Sequence, residues 1–409
     1  MASQVNPPRG MRDFLPADKA RRERVLGVIR DTYRAHGFDE IETPVMEDSS
    51  RLHAGLGGDN EKLAFGILKR GLTHDDLQAA TEPLDLTDLG LRFDLTVPLA
   101  RFYATHRADL PPVFRAIQIG AVWRAERPQK GRFRQFMQCD IDIIGDAGPL
   151  AEIELITATS AALDALGLDR YTIRINDRRI LTGLLSHWNV PADQHERALI
   201  AIDKLDKIGA EGVAAELAEL GIATDGLAAA LATEGWNLLD AAPEWLDLDA
   251  YRALLDLRAA VPGSELIFDA TLVRGMGYYT GTIFEIAHPD LGYSLGGGGR
   301  YDGMIGRFLG SDVPATGFSL GFERLVDLVH LDDSSQPDAV ALLHDAAAAP
   351  AALGRLKAEL VGQGHRVRLE RKPKNVKTTL DRLAAEGFTH FAFVTDGATA
   401  ADLELRALG

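Results

Sequence analysis

The chain has 409 residues, too many for one compact domain and enough for two or three. Its 46% hydrophobic and 25% charged residues give the balance of a soluble globular protein and exclude disorder or collagen-like structure. A net charge of −16 excludes global attraction to nucleic acid, so a polyanion needs a local basic patch. No apolar run reaches the length of a membrane span, and residues 1–12 carry no apolar signal core. The single cysteine, Cys139, allows neither an internal disulfide nor a multi-cysteine zinc site, which fits a reducing cytoplasm.

In chain order, residues 18–36 predict an amphipathic helix with Gly37 as its C-cap. An extended stretch follows from Phe38 to Val45, where Pro44 favours an edge or a strand end. Residues 72–89 are expected to form an irregular loop. From Leu91 to Leu99 the residues Phe93, Leu95, Val97 and Leu99 share one parity and Arg92, Asp94 and Thr96 the other. That alternation predicts a half-buried strand beginning to turn into a helix.

Ala116–Glu126 and Phe133–Ile144 read as a long antiparallel hairpin around the polar turn 127–132. A helix is expected over 150–167, and a helix-rich, alanine- and leucine-rich region over 176–258. Strand character returns from Ser264 to Glu285, broken at 274–277. The glycine run 296–299 precedes a strand at 313–319 and a helix at 323–329. After a polar linker at about 331–337, the order βαβαβ over 338–394 and a last strand at 403–407 predict a small α/β domain with a mostly parallel sheet. Arg366, Arg368, Arg371, Lys372, Lys374 and Lys377 form a basic patch there, with only Glu370 among them.

The hairpin carries the most chemical information. Phe136, Gln138, Asp140 and Asp142 share one face of its second strand, and Arg124 and Glu126 point one way on the first. A ring, an amide, carboxylates and an arginine would line a ligand site; a solvated sheet face shows the same pattern, and the hairpin alone does not choose. Arg127, Lys130, Arg132 and Arg134 at its tip offer donors suited to phosphate oxygens, as an exposed basic turn also would. Asp94 is able to accept from an ammonium group or to form an ordinary ion pair. Arg274 and Arg324 read as functional arginines or structural salt bridges. The glycine run matches neither a dinucleotide-binding nor a P-loop pattern, and no HExxH, GxSxG or zinc spacing occurs.

Taken in this order, the segments resemble the histidyl-tRNA synthetase family of class II aminoacyl-tRNA synthetases over nearly the whole chain. Gly37–Glu47 is similar to motif 1, Arg124–Gly145 to motif 2 and Gly317–Leu325 to motif 3. Leu272–Gly275 with Tyr278-Tyr279-Thr280, and Gly298–Gly303, resemble the two histidine motifs. Ile173–Leu181, Ala201–Lys207 and Leu91–Pro98 resemble the eukaryotic or archaeal-type branch.

The resemblance implies an α+β fold. A six-stranded antiparallel catalytic sheet flanked by helices would occupy 1–330, with a helical insertion at about 176–258. An α/β anticodon-binding-like domain would follow at 338–409. It implies a histidine–tRNA ligase that uses L-histidine, ATP with Mg²⁺, and tRNA(His), bound through the acceptor end and the C-terminal basic patch. A homodimer built on motif 1 is implied as well.

Carried across residue by residue, Asp94, Thr96 and Gln138 would hold the histidine amino group, and Asp142 with Tyr278 and Tyr279 the imidazole. Arg124 would grip the α-phosphate, with Glu126 and Arg132 helping to place ATP. Phe136 and Arg324 would sandwich adenine, and Arg274 would touch the α-phosphate and the substrate carboxylate. The family places no metal ligand on a particular residue here. Two departures stand out: Gly277 replaces the family's usual aspartate, and the chain ends at Gly409 without the family's closing helical segment. Two other readings stay open: an adenylating paralogue with a non-tRNA acceptor, and a non-catalytic regulatory paralogue of ATP phosphoribosyltransferase.

Overall fold

Val25, Leu26, Ile29 and Tyr33 recur at helical spacing, and in the computed structural model they form the buried side of α1 (Pro16–Ala35). Gly37, at φ +84°, ends the helix in the left-handed conformation that glycine adopts without strain. The structure describes residues 5–53, 63–128, 132–222, 227, 230, 235–274, 278–329, 338–395 and 397–408, with the backbone alone at 206–207. The chain divides into two compact units, Met1–Arg12 with Val25–His330, and Asp13–Arg24 with Leu331–Gly409. The expected linker at 331–337, Gly277 and Lys130 lie outside the described residues.

In the first unit β1 (Asp39–Glu40) and β2 (Met46–Asp48) lead into α2 (Ser49–Leu52) and β3 (Phe65–Leu68). The stretch 72–89, expected as a loop, instead holds α3 (His74–Ala79), a 3-10 turn (Pro83–Leu86) and the start of β4 (Thr87–Leu91). Its turn-forming residues serve as caps: Thr73 and Asp76 form a reciprocal capping box. The strand expected over 91–99 ends at Leu91, and α4 (Thr96–His106) follows. Both parities are buried there, Phe93, Leu95 and Val97 together with Arg92 and Asp94. Alternation marked a buried connection rather than a strand.

The hairpin forms as β5 (Phe114–Trp123) and β6 (Gln135–Ile144), shorter than expected, so Arg124 and Glu126 lie just beyond the first strand. α5 (Leu150–Ala165), β7 (Thr172–Asp177), α6 (Arg178–His187), α7 (His195–Ile202), α8 (Leu205–Glu219) and α9 (Leu248–Ala260) make up the helix-rich middle. Strand character over 264–285 reduces to β8 (Leu266–Phe268) and the start of β9 (Thr282–Ala287). β10 (Gly296–Arg300), α10 (Asp302–Leu309), β11 (Ala315–Gly321) and α11 (Phe322–Leu328) complete the unit.

Among the described residues the main sheet has eight strands in the order β1-β5-β6-β11-β10-β9-β7-β8. From β5 to β7 every pairing is antiparallel, which is the expected six-stranded core. β1 and β8 add parallel edges to β5 and β7. One face is apolar: Cys139, Ile141, Phe318, Leu320, Phe284 and Ile286 are buried on it, with the Phe284 and Phe318 rings stacked 5.1 Å apart.

The second unit holds β12 (Ala339–His344), α12 (Pro350–Gly362), β13 (Arg366–Arg371), α13 (Val376–Ala385), β14 (His390–Val394) and β15 (Arg406–Ala407). Its order is β13-β12-β14-β15, parallel but for the last pairing. Leu356 and Leu360 of α12 cover one face and Leu383 of α13 covers the other, as expected for a βαβαβ sequence.

Candidate active site

Strand register fixes what the polar face of the main sheet displays. Phe136, Gln138, Asp140 and Asp142 of β6 stand opposite Val122, Gly120, Gln118 and Ala116 of β5. Across β11, Gln138, Asp140 and Asp142 meet Gly321, Ser319 and Gly317. The same face continues through Gly297 and Gly299 of β10 to Glu285 of β9 and Arg174 of β7.

Glycines make room on this surface for longer side chains. A Cβ at Gly317 would lie 2.0 Å from Asp142 Oδ1, and one at Gly297 would lie 2.7 Å from Arg274 Cζ. A Cβ at Gly299 would press on the Tyr279 ring, and one at Gly120 would sit 2.4 Å from an Arg92 nitrogen. The glycine run is therefore the floor of a pocket and not a loose turn.

Asp94 sits where β4 has ended and α4 begins. Its Oδ1 accepts the Val97 backbone N–H at 3.2 Å, which helps start the helix. Thr96, the first helical residue, is hydrogen-bonded to Tyr278, whose ring packs 4.9 Å from Tyr279 and edge-on to Tyr301. The Tyr301 hydroxyl donates to Asp142 at 2.5 Å, and the Tyr278 and Tyr301 rings are held in the apolar cluster of α4 and α10.

Three carboxyl groups are thus buried close together. Burial pushes Asp94 up to about 6, offset by the Val97 N–H and the Arg124 charge. Burial pushes Asp142 up to about 7 against the Tyr301 hydrogen bond, and Asp94 adds repulsion. Asp140 is raised well above the usual range by burial and by its neighbour Asp142, with Ser319 and Arg124 opposing. Among the described residues Asp94 Oδ2, Gln138 Oε1 and Asp140 Oδ1 are buried acceptors without a hydrogen-bond partner.

Arginines from separate stretches border these acids. Arg124 donates from Nε to the Phe93 carbonyl at 3.0 Å, and its guanidinium lies 5.0 Å from the Phe136 ring centre. Its charge acts on both Asp94 and Asp140. Arg274 lies over Gly297 and pairs with Glu285, which also pairs with Arg174. Arg324 lies over the Tyr293 ring at 4.8 Å and donates to the Ser294 carbonyl. Burial, then repulsion from Arg132 and, less, from Arg274, lowers the Arg324 pKa, so Arg132 and Arg274 both lie within reach of the Arg324 charge. Arg132 and Glu126 face each other at 4.0 Å, both substantially exposed.

Sequence reasoning did not single out Ser319, Glu285 or Tyr293, and gave Arg92 only a place on a polar face and Tyr301 only a place in a motif string. Arg92 is buried and donates to the Ala121 carbonyl at 2.9 Å and the Thr43 carbonyl at 2.8 Å. It also reaches Thr43 Oγ1 and the Pro44 carbonyl. Asp140 was visible on the hairpin face by parity alone; Ser319 and Glu285 depend on cross-strand register, which no local pattern shows.

The C-terminal basic patch is less bare than its sequence. Arg366 and Arg368 lie over the Phe388 ring at 4.5 and 4.6 Å. Arg368 pairs with both Glu370 and Glu386, and Glu386 is brought in by the end of α13. Arg371, Lys372, Lys374 and Lys377 are exposed.

The family model for histidyl-tRNA synthetase matches residues 10–325. A histidine–tRNA ligase from Leifsonia xyli subsp. xyli is 61% identical, and the alignment covers 100% of this chain and 99% of that protein. A probable histidine–tRNA ligase from Tropheryma whipplei is 42% identical over 96% of each. Among solved structures, histidyl-tRNA synthetase from Nostoc sp. PCC 7120 superposes with a TM-score of 0.77 at 25% identity, covering 99% of this chain and 95% of that one. A Bacillus halodurans C protein described as an ATP phosphoribosyltransferase regulatory subunit/histidyl-tRNA synthetase gives a TM-score of 0.77 at 22% identity, over 97% of this chain and 100% of that one, which is a likeness of fold. With three-quarters of its length under the family model and a full-length relative well above 30% identity, the chain belongs to the histidyl-tRNA synthetase family.

Proposed function

We propose that the chain is a histidine–tRNA ligase. It activates L-histidine with ATP to histidyl-adenylate and pyrophosphate, then passes the histidyl group to the 3′ end of tRNA(His). One observation carries the reading: buried acceptors on Asp94, Gln138 and Asp140 without partners among the described residues lie beside Arg124, on a sheet face that Arg274 also lies over. Such a pocket suits a small cation-bearing acid placed against a polyphosphate. A site built on buried polar partners rejects ligands lacking the matching donors far better than an apolar pocket does.

The substrate carboxylate is already ionised, so its attack on the α-phosphorus needs no general base. It needs in-line placement and cancellation of charge as pyrophosphate leaves. Asp94, Thr96 and Gln138 take the amino end, and Asp142, Tyr278 and Tyr279 the imidazole. Arg124 and Arg274 take the α-phosphate, Glu126 and Arg132 help place ATP, and Phe136 and Arg324 hold the adenine. In the second step a ribose hydroxyl attacks the adenylate carbonyl and AMP departs.

Among the described residues no group of three or more His, Cys, Asp or Glu side chains forms a metal cage. Mg²⁺ would enter with the phosphates of ATP, where it keeps few protein ligands. A homodimer is part of the proposal: Val45 and Met46, in the segment resembling motif 1, are each 44% exposed. The described helices include none long and apolar enough to cross a membrane, and a cytoplasmic setting suits the lone buried Cys139.

Amino-acid-dependent ATP–pyrophosphate exchange, run across all twenty amino acids, tests the activation step. Histidine alone is expected to support it; exchange indifferent to histidine overturns the assignment. Charging of a tRNA(His) transcript with labelled histidine tests the acceptor, and adenylation without transfer would point to a non-tRNA acceptor instead.

A further inference from the structure

We propose that Asp140 is a further substrate-binding residue, taking one N–H of the amino acid's α-ammonium group together with Asp94 and Gln138. The inference rests on the functional reading above and deepens it. Asp140 stands on β6 between Gln138 and Asp142 and faces Gln118 on one side and Ser319 on the other. It is 5% exposed. Its Oδ2 receives the Gln138 Nε2 donor at 3.4 Å, and Ser319, which also binds Gln138 at 3.2 Å, is hydrogen-bonded to it.

An aspartate whose task is to tie strands together would have both oxygens engaged. Here Oδ1 is buried with no partner among the described residues, and the same holds for Asp94 Oδ2 and Gln138 Oε1. Three lone acceptors match the three donors of an ammonium group, while Thr96, already hydrogen-bonded to Tyr278, lines the same end without taking one. The charge balance agrees. Asp94 and Asp142 face Asp140 with the same sign, and Arg92 and Arg124 only partly offset them. Burial first and then its acidic neighbours raise the Asp140 pKa, and a cation entering the cluster offsets the second of these. Glu285 and Arg274 lie further along the same face, where the proposed reaction places the carboxylate and phosphate.

The test compares two ligands on one variant. L-Histidine carries the ammonium group; 3-(imidazol-4-yl)propionate is the same molecule without it. In Asp140→Asn, the Kd for histidine is expected to rise about tenfold or more, while the Kd for the des-amino compound and the KM for ATP stay within about twofold. Equal weakening of both ligands, or unchanged histidine binding, overturns the proposal. If Asp140→Asn does not fold, as judged by its melting curve, Ser319→Ala serves as the second variant. It is expected to weaken histidine by a smaller factor and again to spare the des-amino ligand; loss of both overturns the proposal. Should the wild type activate another amino acid, the functional reading fails separately. Asp140 is then tested with that amino acid and its des-amino form, because the ammonium group is common to all.

Discussion

The polar face of the main sheet and the basic surface of the C-terminal unit both gather charge, by opposite means. At the polar face of the sheet, Asp94, Asp140 and Asp142 are nearly inaccessible, and Asp94 and Asp140 each hold an acceptor atom without a partner among the described residues. Around β13, the arginines are substantially exposed and already occupied: Arg368 with Glu370 and Glu386, and Arg382 with the same two acids. Burying an unsatisfied acceptor costs about 1–3 kcal/mol, whereas an exposed ion pair changes stability by less than about 1 kcal/mol. On the proposed function, the first surface would be committed to a particular small ligand and the second would offer adjustable charge to a large one.

The largest effect that would sharpen this contrast is at Arg274, which lies over the glycine floor and pairs with Glu285. Arg274→Ala is expected to lower histidine-dependent exchange by about 10²–10³-fold in kcat/KM, the scale of losing a charged contact to the transition state. Residual activity within a few-fold of wild type would remove Arg274 from the chemistry.

Next comes Gly317→Ala. Its Cβ would sit 2.0 Å from Asp142 Oδ1, so the carboxylate must move, and histidine KM is expected to rise at least about tenfold. Gly354→Ala in α12 is the matched control. No atom lies within 4 Å of the added carbon there, and the helix should gain about 0.5–1 kcal/mol with exchange unchanged. Equal responses at the two glycines would mean that the floor is not shaped for Asp142.

The pH responses follow from the burial of the acids. Asp94 and Asp142 have folded-state values of about 6 and about 7, above the unfolded carboxylate range. Their contribution to stability is therefore complete below about pH 4 and is lost as pH rises through 6 and 7. Melting of the ligand-free wild type should fall over that window relative to Asp142→Asn, by an amount worth ~3 kcal/mol or less. Histidine affinity should move the other way, weakening as pH falls from 7 to 6 and the acids take up protons. A wild-type minus variant difference that is flat with pH breaks this account.

The smallest effect belongs to the basic surface. Replacing exposed Lys374 and Lys377 by alanine should leave pyrophosphate exchange unchanged. It should raise the KM for tRNA only a few-fold, with a shallower salt dependence. No change in the salt slope would take this surface out of tRNA binding.

Much of this was legible in the sequence where the deciding interactions are local. Parity along 136–142 placed a ring, an amide and two acids on one face, and the βαβαβ order of the last 72 residues was readable from strand and helix periods. Residues 91–99 misled because alternation also suits a connection buried on both sides, where Asp94 starts a helix. Residues 72–89 misled because Thr73 and Asp76 are turn formers and cap formers alike. Ser319 and Glu285 joined the site through register across three strands, and such pairing leaves no trace in any one stretch. Tyr301 was in view within a glycine-rich string, yet its bond to Asp142 spans 159 positions.

Arg92 adds a further consequence. Its hydrogen bonds run to neutral oxygens of Thr43, Pro44 and Ala121, and the carboxylates that act on its charge are Glu42 and Asp140. A guanidinium keeps its proton even when buried. The protein thereby sets a permanent positive pole over β5, beside the strand that bears Asp140, and ties the 43–45 segment to the loop carrying Asp94. On the proposed function, a displacement of that segment would be felt two residues away at Asp94, in the amino-acid pocket.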